Sequence, residues 1–65
     1  MNKYETQIEK AISEYENYPY RTHSMDWIID RIDWCWKWRK ISERKKDEFC
    51  NRVVAILENG VDIYG

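Results

Sequence analysis

The sequence predicts an all-α domain, a small three-helix bundle with helices over residues 2–18, 24–40 and 43–59 and a short C-terminal tail. Two observations carry this. Apolar residues recur every three or four positions in each segment, as one face of an α-helix requires. Residues that start or stop helices fall between the segments. The 65 residues are enough for a single domain, 1–65, below the roughly 70–80 residues under which an apolar core alone seldom supplies more than ~3–5 kcal/mol.

In the first helix the apolar positions are Tyr4, Ile8, Ala11, Ile12, Tyr15 and Tyr18, while Glu5, Glu9 and Glu16 form a solvated acidic strip on the opposite side. Pro19 ends it by removing a backbone donor and pushing Tyr18 away from helical angles. After a loop running to His23, Ser24 caps the second helix, with Asp26 in the first turn where the helix dipole favours an anion. Neither Gly nor Pro interrupts residues 20–59, so the end of the second helix, near Lys40, is inferred from polarity and phase. Ser42 caps the third helix, Ile41 packs just before it, and Phe49, Val53, Ile56 and Leu57 are buried. Asn59-Gly60-Val61 suits a left-handed Gly cap with Val61 folding back near Ile56, and Ile63 and Tyr64 remain for packing in the tail. Fusing the second and third helices into one rod would leave their apolar stripes about a quarter turn out of phase at ~100° per residue, so a hairpin is expected.

The second helix has two apolar faces. Met25, Ile28, Ile29, Ile32 and Trp36 mark the core face, with Cys35 at its margin. Trp27, Trp34 and Trp38 project as a second stripe about 180–220° from Met25. Asp26, Asp30, Asp33 and Lys37 fill the remaining sector, where Asp33 and Lys37 are spaced for an i,i+4 ion pair. Three indoles offer on the order of 450–750 Å², at or above the largest exposed patch of a typical monomer. Something should cover them. Helices 1 and 3 can each take one stripe of helix 2, or the Trp stripe can meet a second copy or another protein. Partial burial would leave Trp38, at the helix end, as the contact anchor.

Composition narrows the function classes. Eleven basic against twelve acidic side chains give a net charge of −1, which excludes a globally basic nucleic-acid binder and a strongly acidic nucleic-acid mimic. A chain this short has little room for a deep catalytic cleft, so no enzymatic activity, cofactor or small-molecule substrate is expected. His23 has no acid or nucleophile beside it in sequence, and one His with two Cys cannot close a structural zinc site within one chain. Cys35 and Cys50 flank the turn and would be neighbours in a hairpin; as two cysteines they read as ordinary thiols, a disulfide remaining conceivable. The polar N-terminus lacks the cationic start and apolar run of a signal peptide, and no stretch approaches the ~20 apolar residues of a membrane span, so a cytoplasmic location is expected.

Two binding modes follow. In the first, the protein binds a protein partner or itself through Trp27, Trp34 and Trp38, with Arg31 and the basic turn as a polar rim, because Trp and Arg dominate interface hot spots. In the second, Lys37, Arg39, Lys40, Arg44, Lys45 and Lys46, interleaved with Trp38, hold nucleic acid by neutralising phosphates and stacking bases. Glu43, Asp47 and Glu48 dilute that field, and the same lysines suit the end of a helix dipole. No motif assigns a family. By size and its Lys-, Ile-, Asn- and Tyr-rich composition, the chain is similar to compact accessory proteins of phages and mobile elements, some of which are inhibitors.

Overall fold

The computed structural model describes residues 2–17 and 19–59. It contains α1 (Lys3–Asn17), α2 (Met25–Lys37) and α3 (Glu43–Glu58), each packed against the other two. The all-α three-helix bundle is the fold, and the fused rod is excluded. Tyr18, the Gly60 cap and the packing expected of Val61, Ile63 and Tyr64 lie outside the described residues.

Both predicted serine caps form. The Ser24 hydroxyl accepts from the Trp27 N–H at 3.1 Å and the Ser42 hydroxyl from the Lys45 N–H at 3.2 Å, each satisfying a donor that has no partner inside its helix. The start of α1 is a capping box. Asn2 Oδ1 accepts from the Glu5 N–H at 2.9 Å while Glu5 Oε1 accepts from the Asn2 N–H at 3.2 Å. Asn2 also donates through Nδ2 to the Lys40 carbonyl at 2.8 Å, which ties the beginning of α1 to the α2–α3 connection.

The second helix ends earlier than its polarity suggests. Trp38 is the C-cap and Arg39 takes a left-handed conformation, φ 56°. The Lys40 N–H then reaches back to the Cys35 carbonyl at 2.7 Å and the Arg39 N–H to that of Trp36 at 3.1 Å. This is a Schellman stop with arginine where glycine usually stands. A Cβ in that region costs roughly 1–2 kcal/mol. Arg39→Gly is therefore expected to stabilise the fold by about 1 kcal/mol net of the extra chain entropy of Gly, a rise in melting temperature of about 4–8 °C. Thermal unfolding followed by circular dichroism checks it.

The core is one cluster of Ile8, Ala11, Ile12, Tyr15, Met25, Ile28, Ile32, Cys35, Ile41, Phe49, Val53 and Ile56. Full burial of a Val, Leu, Ile, Phe or Met side chain stabilises by about 1.5–3 kcal/mol. Tyr4, Trp27 and Leu57 pack partly against this cluster, so Leu57 lies at its edge and not inside it. Ile29 and Trp36 are a correction: Ile29 is exposed and Trp36 only half-buried. The reason is geometric. Packed against α1 and α3, α2 turns the arc centred on Ile28, Ile32 and Cys35 inward, which leaves Ile29 and Trp36 rotated roughly 75–95° toward solvent on the α3 side.

The acidic strip of α1 is a second correction. Glu9 and Glu16 meet Arg52 of α3, which donates from Nη1 to Glu9 Oε1 at 2.7 Å and from Nη2 to Glu16 Oε1 at 2.6 Å. Nε reaches Glu16 Oε2 at 3.2 Å, a fork-on-fork contact, and the Ser13 hydroxyl donates to Glu9 Oε2 at 2.8 Å while accepting from Arg52 Nη2 at 3.4 Å. The loop before α2 is fastened in turn to α1. The N–H and hydroxyl of Thr22 donate to Glu14 Oε1 at 3.0 and 2.7 Å, and those bonds hold the Glu14 carboxyl below its ordinary range.

Candidate interaction surfaces

The α2 positions that face away from the core carry the predicted Trp stripe, and the structure grades it from covered to open. Trp27 is half-buried, with His23 stacked on it at 3.6 Å between ring centroids and 11° between planes. The Arg31 guanidinium sits 5.1 Å from the Trp27 ring centroid and 5.5 Å from that of Trp34, bridging the two indoles. Such a cation over a ring contributes about 0.5–1 kcal/mol where solvent reaches it. Trp34 is 41% exposed, tilted against Tyr4 of α1 at 6.2 Å and against Trp38 at 6.5 Å. Trp38 is 59% exposed. Helix 1 therefore covers part of the stripe through Tyr4, and the two indoles nearest the turn remain open.

The basic segment is less free than its sequence suggests. Lys37, Arg39, Lys40 and Arg44 are exposed. Lys45 pairs with Glu48 at 2.9 Å, whereas Lys46 pairs with Asp47 at 3.5 Å and lies over Trp36 at 4.9 Å. Lys40 and Lys3 both approach the Tyr4 ring, at 5.6 and 5.3 Å. The structure thus sets Arg31 over Trp34, Lys40 over the Tyr4 ring that packs on Trp34, and Lys45 and Lys46 into local pairs, with Arg39 exposed next to Trp38 in the chain. Among the described residues, the Asp33–Lys37 ion pair does not form.

A second apolar surface was not anticipated from the sequence. Ile29, Ile32 and Trp36 of α2 and Cys50, Val53, Val54 and Leu57 of α3 line a groove of about 460 Å³, with Asp33 and Lys46 on its walls. Ile29 is 41% exposed and Val54 is 50% exposed. Its one sequence signal is Val54, an apolar residue beside the predicted stripe of α3 and not within it. Cys50 opens to this groove while Cys35 is fully buried, and both are free thiols, so the conceivable disulfide is not formed. Burial pushes the Cys35 thiol up from its ordinary value, which keeps it protonated and inert.

Among the described residues, no three His, Cys, Asp or Glu side chains converge as metal ligands would, and no helix is long and apolar enough to cross a membrane. Compared with protein-family models, with curated proteins and with solved structures, the chain has no significant match.

Proposed function

We propose that this protein is a non-enzymatic protein-interaction module that engages its partner through Trp34 and Trp38, with Arg31, Arg39 and Lys40 as a cationic rim. The observation that carries this reading is a pair of adjacent indoles, 41% and 59% exposed, with the Arg31 guanidinium over the first of them. Large aromatic side chains lose little conformational entropy on contact and dominate the energetics of protein interfaces. Cations beside them select a partner whose apolar side chains are flanked by carboxylates. Trp27 then supports the surface from within, held by His23 and Arg31.

Exposed Arg39, Lys40 and Arg44, within six residues of the exposed Trp38 in the chain, also favour a second reading, single-stranded nucleic acid stacked on the indole. The pairing of Lys45 with Glu48 and of Lys46 with Asp47 weakens that field. Salt separates the two readings. Phosphate contacts weaken steeply with ionic strength, and a Trp-centred protein contact changes little.

The variant Trp34→Ala/Trp38→Ala is expected to retain helicity and lose partner binding by two or more orders of magnitude, as each anchor is worth about 2 kcal/mol or more. Binding to the captured partner, titrated for wild type and variant at low and high salt, provides the check. Unchanged affinity rejects the surface, and loss confined to single-stranded DNA or RNA at low salt supports the second reading.

A further inference from the structure

We infer that the groove between α2 and α3 is a self-association surface that takes a second copy of this chain in antiparallel orientation, on a different face from the Trp34–Trp38 pair. The helices run antiparallel, since Trp36 meets Lys46 beside the turn while Ile29 and Leu57 share the far end of the groove. The exposed aliphatic residues of this face are Ile29 and Val54. Its two ends differ in charge. Beside the turn lie Lys37, Arg39, Lys40, Arg44 and Lys46, which outnumber Asp33, Glu43 and Asp47 of the same end. At the opposite end lie Asp26 at the start of α2 and Glu58 at the end of α3.

A two-fold axis perpendicular to the helices sets the basic end of each copy against the acidic end of the other. An axis parallel to them would oppose like ends. A contact of the first kind is self-complementary, the property that an isologous dimer requires. The net charge of −1 adds little repulsion between whole molecules. The face is smaller than a standard interface, so a weak dimer is expected. The 16 residues of α3 extend about 24 Å, and two neighbouring helices about 10 Å apart present roughly 500 Å² in projection, before relief is counted, against about 800 Å² of accessible surface per partner in a standard interface.

The experiment is sedimentation equilibrium of the full chain from about 1 µM to about 1 mM, which spans weak and moderate affinities. A monomer–dimer equilibrium is expected, weakened at least tenfold by Val54→Lys and unaffected by Trp34→Ala/Trp38→Ala. Charge reversal sets the orientation. Asp26→Lys/Glu58→Lys and Lys37→Glu/Lys46→Glu are each expected to be monomeric alone and to form a mixed dimer together. Circular dichroism of each variant confirms that it is folded. A wild-type monomer over the whole range overturns the proposal. So does a dimer whose affinity Val54→Lys leaves unchanged. Dimerisation lost with the Trp pair moves the contact to the other face, and reversed variants that stay monomeric when mixed exclude the antiparallel arrangement.

Discussion

Phe49→Ala is expected to bring the domain to about the midpoint of unfolding at room temperature. Phe49 is the largest of the fully buried side chains and sits in the cluster shared by all three helices. Truncating a buried Phe costs about 3–5 kcal/mol, the transfer energy of the ring plus the cavity it leaves. A core of this size supplies about 3–5 kcal/mol in all, so the loss equals the whole margin. Urea titration of the far-ultraviolet signal measures it, and the variant should show no folded baseline. A loss below about 1 kcal/mol would mean that the helices close over the vacancy more completely than a packed core allows.

Arg52→Met is expected to destabilise by about 1–2 kcal/mol, the next largest effect on stability. It keeps the aliphatic stem and removes the charged fork, so the loss belongs to the hydrogen bonds and not to packing. The estimate is reduced from the ~1.5–3 kcal/mol of a bond to a charged group because solvent reaches all three partners. Arg52→Lys should recover little, since one ammonium cannot span Glu9 and both oxygens of Glu16.

The same clasp sets a pH dependence. The Arg52 guanidinium holds the Glu9 carboxyl below its ordinary value, and the carboxylates lift Arg52 further above its own. With its folded value below the unfolded ~4.3, Glu9 stabilises fully above that pH, and the contribution fades as pH falls through the folded value. Glu14, held down by Thr22, acts with the same sign. Wild type should therefore lose stability more steeply below about pH 4.3 than Arg52→Met does. Parallel curves for the two proteins would place the linkage elsewhere.

Local features of this fold were legible in the sequence because they depend on neighbours in the chain. Helix phase, the Ser24 and Ser42 caps and the i, i+7, i+11 stripe of Trp27, Trp34 and Trp38 all follow from spacing. What failed depends on where the other helices lie. Ile29 and Trp36 were expected inside because they share an arc with Met25 and Ile32, yet α3 meets that arc off centre and leaves a groove. Arg52 finds Glu9 and Glu16 across 43 and 36 residues, a separation that no periodicity reports. The Arg39 stop carries none of the usual glycine signal, because the backbone accepts a strained residue there. The candidate surface was legible in its residues but not in its gradation, which Tyr4 and His23 impose from other segments.

The brief connections between the three helices have a kinetic consequence. Most partners in such a topology lie near one another along the chain, and helical domains of this kind fold in about microseconds to milliseconds. With stability of only a few kcal/mol, rapid folding implies frequent opening, and the lifetime of any one native molecule is short. Occupancy by a binding partner lengthens it by mass action, so persistence in a protease-rich setting would track the supply of that partner.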